Sequence, residues 1–152
     1  MLLCTKDFLG SDLMIVFCCV DDKGGTMFNN RRQSRDSILI KRILEIAGDK
    51  KLYISPYSEK LFPEDMKERL ISSPDYLEKA GEGDFLFCED GALREYSSKI
   101  EKLVLFKWNR LYPADRFLDL ELRSFKLTER SFFEGSSHEK IDEETYVSAL
   151  NI

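Results

Sequence analysis

The stretch Met14-Ile15-Val16-Phe17-Cys18-Cys19-Val20-Asp21-Asp22-Lys23-Gly24-Gly25 decides the fold class. Its opening run is apolar throughout, rich in β-branched and aromatic side chains, and stops at an Asp-Asp-Lys-Gly-Gly turn signal. Apolar residues at strand length without alternation predict a strand covered on both faces. Just beyond it, Phe28-Asn29-Asn30-Arg31-Arg32-Gln33 reads as a polar loop. Ser34 then reads as a helix N-cap, with Asp36 in the first turn where the helix dipole favours a carboxylate. Ile38, Leu39, Ile43, Leu44, Ile46 and Ala47 form a helical apolar stripe that Gly48 ends.

The same alternation continues. Residues 52–55 read as a strand, 57–62 as helical, 67–73 as a strand or turn, and 74–80 as a helix. Strand 84–88, helix 91–100 and strand 102–108 follow, and then strands alone at 116–120, 125–133 and 145–149. Strands separated by helices pair in parallel through right-handed crossovers, and strands without intervening helices pair antiparallel. The expected architecture is a single-domain three-layer α/β sandwich with a mixed, mostly parallel sheet and antiparallel C-terminal strands. It spans residues 14–152, with 1–13 expected to be a disordered N-terminal extension.

Composition narrows the function classes. The chain has 152 residues, is 43% hydrophobic and 34% charged, and carries a formal net charge of -5. No apolar run approaches the roughly 20 residues that span a bilayer, so no membrane association is expected. The acidic balance argues against nucleic acid. Cys4, Cys18, Cys19 and Cys88 include no CxxC pair, which points to reduced thiols and a cytoplasmic setting. His138 is the only histidine, so no His-cluster metal site can be assembled and no metal is expected. A Ser-His-Asp arrangement through His138 has no G-x-S-x-G elbow to support it. Homo-oligomerisation is left open.

The densest polar signal joins Asn30, Arg31, Arg32, Gln33, Ser34 and Arg35 to Asp36 at a helix start beyond the first strand. Free amides at a helix N-terminus and arginine forks both suit an anion, and ligands in open α/β sheets bind beyond the carboxyl ends of strands. One reading is therefore an anionic small-molecule site with Asp36 as its acid or orienting carboxylate. The other is a solvated basic loop that pairs with Asp21, Asp22 and other surface acids. His138, in the polar segment 135–140, reads either as part of a hairpin connection or as a further substrate contact.

Several of these segments together resemble the dihydrofolate reductase family. Val20-Asp21-Asp22-Lys23-Gly24-Gly25 is similar to that family's opening strand and loop, and Asp36-Ser37-Ile38-Leu39-Ile40-Lys41-Arg42 to its first helix. Residues 51–55, 84–88, 92–100, 102–107 and 125–147 resemble its later strands and helices. The resemblance implies NADPH as cofactor, reduction of a pterin-like or other heterocyclic anionic molecule, and Asp36 as the carboxylate that holds the ring. Two segments depart from the family. Ser55-Pro56-Tyr57-Ser58 stands where the family has a Gly-Arg-x-Thr-like turn, and Glu89-Asp90-Gly91 where it has glycines against the cofactor diphosphate. Two carboxylates there would repel a diphosphate, which leaves the cofactor-binding residues unassigned. The alternative is a non-catalytic binding protein of the same fold that uses the loop from Arg31 to Asp36 for an anionic metabolite or a protein partner. In that reading Arg32→Ala removes ligand-dependent stabilisation and leaves the unliganded melting point unchanged.

Overall fold

β1 (Met14–Val20) lies inside a seven-stranded sheet whose strand order is β5-β4-β6-β1-β7-β10-β9. The computed structural model describes residues 13–149, so nearly all of the expected extension lies outside the described residues. β4 (Leu52–Ile54), β5 (Leu70–Ser72), β6 (Phe85–Phe87) and β7 (Ile100–Lys107) run parallel to β1. β10 (Ile141–Ser148) pairs antiparallel with β7 on one side and with β9 (Phe125–Phe133) on the other. The mixed, mostly parallel sheet with antiparallel C-terminal strands is present.

The unalternating run in β1 is explained by two cores. Met14, Val16, Cys18 and Val20 point to one face, where they meet Tyr76 and Ala80 beside the short helix α2 (Tyr76–Lys79), together with Leu93. Phe17 points to the other, where it meets Leu39, Ile40, Ile43 and Leu44 of α1 (Ser37–Ala47). Helical layers therefore cover both faces. Arg42 fastens α1 to β10 through two hydrogen bonds to buried Glu143, at 2.7 and 2.9 Å. Among the described residues, no helix is long and apolar enough to cross a membrane.

Four local readings are corrected. The polar loop at 28–33 contains a hairpin of β2 (Gly25–Phe28) and β3 (Arg31–Arg32), closed by Asn29 and Asn30 at φ 53° and 60°. Both sit in the left-handed region that two-residue hairpin turns require and that asparagine tolerates. The helix N-cap is Asp36 instead of Ser34. Its Oδ1 accepts from the amides of Ile38 and Leu39 at 3.0 and 3.2 Å, while Ser34 lies two residues too early for the helix that starts at Ser37. The helix expected over 91–100 is a 3-10 segment, Arg94–Lys99, and Ile100 already belongs to β7. The strand expected at 116–120 shrinks to β8 (Arg116–Phe117), which pairs with β2 in a separate three-stranded sheet.

Candidate functional site

The parallel strands β1, β4, β6 and β7 all end at one edge, where ligands bind in open α/β sheets. Because β10 runs the opposite way, the loop before it returns to that same edge. This is how His138 reaches the segment before α1, although 102 residues separate it from Asp36.

Asp36 is the hub. Its Oδ1 accepts from the amides of Ile38, Leu39 and Ser136, the last at 2.9 Å. Its Oδ2 accepts from the Ser137 amide at 2.8 Å, the Ser137 hydroxyl at 3.2 Å and His138 Nδ1 at 3.0 Å. Burial pushes a carboxyl toward the neutral form. Here the backbone amides of Ser137 and Ser136, with His138 and Leu39, outweigh it and hold Asp36 well below the usual carboxylate range. Gly135 makes the arrangement fit, since a Cβ there would collide with the Asp36 carboxylate.

His138 is buried, and its ring stacks on that of buried Trp108 at 4.4 Å between centroids. An ionised carboxylate can only accept, so Nδ1 carries the proton, and in the neutral ring Nε2 is the acceptor. Two hydroxyls face that nitrogen, Ser34 Oγ at 3.2 Å and Tyr112 Oη at 3.0 Å.

Arg32 is not a free anion receptor. It donates to both oxygens of Glu89, at 2.8 and 3.0 Å, and to the Tyr57 carbonyl at 3.1 Å, while its guanidinium lies 4.4 Å from the Tyr57 ring centroid. Ser58 Oγ donates to Glu89 as well, at 2.7 Å. Glu89, expected to face a cofactor, is thus neutralised from within. Gln33 Nε2 donates to Asp21 at 3.0 Å, and its buried Oε1 has no partner. Asn30 Oδ1 accepts from Arg116 at 2.8 Å. Arg31 and Arg35 are exposed and make no ion pair within the described residues.

Two spaces flank these groups. A cavity of about 20 Å³, lined by Cys19, Arg32, Ser34, Asp36, Phe87, Glu89 and Trp108, has room for a single water. An open hollow of about 540 Å³ is lined by Phe28, Asn29, Arg31, Arg32, Gln33, Tyr112 and Pro113. A further hollow of about 860 Å³ against the β9–β10 side is lined also by Asp21, Asp22 and Gly24 of the loop after β1, but by none of residues 30–36 and not by His138. No group of three metal-ligating side chains occurs among the described residues.

Tyr57, Ser58, Tyr112, Ser136, Ser137 and Asp119 were not singled out as site residues by the sequence. Ser136 and Ser137 carried a signal, since they precede His138 in a short polar loop. The others are brought in from distant elements and have no local signature.

No family model matches the sequence, and no curated protein matches it either. Among solved structures, the chain is similar to dihydrofolate reductase from Enterococcus faecalis complexed with NADP(H) and RAB-propyl. That match covers 90% of this chain and 96% of the other, with a TM-score of 0.65 and 10% sequence identity. The molecule belongs to the class of open α/β sheets, and its fold is that of dihydrofolate reductase.

The implied nicotinamide cofactor can be tested against the residues present. After β6 the amides of Leu93 and Arg94 both donate to Asp119 Oδ1, at 2.7 and 2.8 Å. The Ala92 amide donates to Asp90 Oδ1 at 3.0 Å. Gly91, at φ 75°, packs against the Leu118 backbone, 2.9 Å from where a Cβ would stand. The donors a diphosphate would use at this turn are taken by the chain's own carboxylates, and its backbone is covered by the chain. These residues do not fit the cofactor.

Proposed function

We propose that this chain is a binding protein of the dihydrofolate reductase fold that takes an anionic small molecule at the hollow beside Arg31 and does not run nicotinamide-dependent reduction. The observation that carries this reading is the hollow of about 540 Å³ lined by an unpaired arginine, Arg31, and by two aromatic residues. An arginine fork recognises carboxylate or phosphate, and the rings of Phe28 and Tyr112 offer an apolar wall for the remainder of the ligand. Arg35 adds a second unpaired cation on the same segment. The reduced cysteines Cys18, Cys19 and Cys88 suit a reducing compartment, so the cytoplasm belongs to this proposal. The runner-up, reduction of a pterin-like heterocycle, rests on the likeness of fold.

Thermal denaturation separates the two. Inorganic phosphate or benzoate at ten times its dissociation constant should stabilise by about 1.4 kcal/mol, a rise of roughly 3–6 °C. The rise should vanish in Arg31→Ala. NADPH should give no larger shift than phosphate, and absorbance at 340 nm should not fall when dihydrofolate is added. Oxidation of NADPH would restore the reductase reading, and absence of any anion effect would remove this one.

A further inference from the structure

One set of groups at the ligand edge is arranged for chemistry that neither anion binding nor hydride transfer uses. Ser34, His138 and Asp36 stand in line: Asp36 Oδ2 is 3.0 Å from His138 Nδ1, and His138 Nε2 is 3.2 Å from Ser34 Oγ. We propose that Ser34 is the nucleophile of an acyl-transfer site, with His138 as its base and Asp36 as the residue that positions His138. This goes beyond the binding reading and stands without it.

The parts meet the requirements of that chemistry. The positioning carboxylate is held by the amides of Ile38, Leu39, Ser136 and Ser137, so it cannot swing away from the ring. The ring is clamped against Trp108, which fixes the direction of its Nε2 lone pair. Ser34 is half-buried on the irregular segment between β3 and α1, and is therefore more accessible than the two groups behind it. The amides of Ser34 and Arg35 make no hydrogen bond within the described residues, which leaves them available to a developing oxyanion. Ser34 lines the small cavity of about 20 Å³; the open hollow that would take the acyl group is lined by Gln33, which precedes Ser34 in the chain, and by Tyr112, which shares His138 Nε2 with it. A histidine serving only as a structural hub needs one donor at Nε2. Here two hydroxyls, Ser34 and Tyr112, compete for its single lone pair.

The step balances with water as the only co-reactant. Ser34 Oγ bonds to the carbonyl carbon of a small carboxylic ester, and its proton passes to His138 Nε2. The bond to the leaving alkoxide breaks as that proton moves onto it. Water then gives a proton to His138 and its oxygen to the acyl carbon. The Ser34 ester bond breaks as His138 returns that proton to Ser34 Oγ, and a carboxylic acid leaves.

The test uses the full chain and an uncharged alkyl fluorophosphonate, which needs none of the arginines. Ser34 Oγ should displace fluoride and give one adduct, read by intact mass and mapped to Ser34. Ser34→Ala should abolish the adduct while keeping its melting temperature near that of the parent chain. Tyr112→Phe removes the competing donor and should speed labelling. The single histidine gives one set of imidazole nitrogen resonances, which should report the Nδ1–H tautomer in the parent chain and its loss in Asp36→Asn, with labelling slowed at least about tenfold. No adduct under conditions that label a known serine hydrolase would overturn the proposal, as would an adduct that persists in Ser34→Ala. Phosphate-dependent stabilisation can fail while labelling succeeds, so the two readings fail separately.

Discussion

Replacing Arg32 with alanine strands the Glu89 carboxylate, whose side chain is 9% exposed, with only Ser58 for company. Removing one partner of a buried pair costs about 3–5 kcal/mol, because the charge left behind is desolvated and uncompensated. Thermal melting should therefore fall by roughly 6–20 °C, contrary to the sequence-based expectation of an unchanged melting point. The double replacement Arg32→Met with Glu89→Leu should recover most of the loss. A single variant that melts like its parent would show that the pair contributes nothing. Local sequence could not distinguish a ligand-facing arginine from an internal one, since Glu89 lies 57 residues away. For Asp36 the helix start was legible. The four loop and ring donors from Ser136, Ser137 and His138 were not, because they come from a hairpin a hundred residues later.

At the scale of elements, the β2–β3 hairpin depends on two consecutive left-handed asparagines. Asn30→Val forces a β-branched side chain to φ 60°, which costs about 1–2 kcal/mol. Hydrogen exchange should then show faster exchange of the β2 and β3 amides, with β1 and β7 protected as before. Equal protection in the variant would mean that the turn does not hold the hairpin. The Asn-Asn dipeptide before Arg31 was the available signal, masked by the polar residues around it. β1, α1 and β7 were legible because each buries a periodic or unbroken apolar face. β8 and the 3-10 segment at Arg94–Lys99 were not, since tertiary contacts define them: Asp119 caps one and β2 pairs with the other.

For the molecule as a whole, buried carboxylates set the response to acid. For Asp36 the amides of Ser137 and Ser136 overcome burial. For Asp21 those of Lys23, Gly25 and Tyr112 do so, and for Glu144 Tyr146, Lys107 and Arg130. All three are held below their ordinary values in the folded state. In the unfolded chain they take up protons near pH 4, so the unfolded state binds more protons as the pH drops. Their contribution is complete above that range and is lost as the pH falls toward the folded values. Urea midpoints should be flat from about pH 7 to 5 and fall below about pH 4, with a shallower fall in Asp36→Asn. A midpoint that rose on acidification would contradict this account.

The placement of β10 has a consequence in time. It follows every other strand among the described residues, yet it sits inside the sheet, hydrogen-bonded to β7 and β9 on its two sides. Until it is synthesised, β7 presents Leu103, Val104, Leu105 and Phe106 along an open edge, and α1 lacks the Glu143 anchor for Arg42. The His138 loop has also yet to reach Asp36. A nascent chain on the ribosome is thus committed to waiting, with an adhesive edge uncovered, for the segment that completes both its sheet and its site.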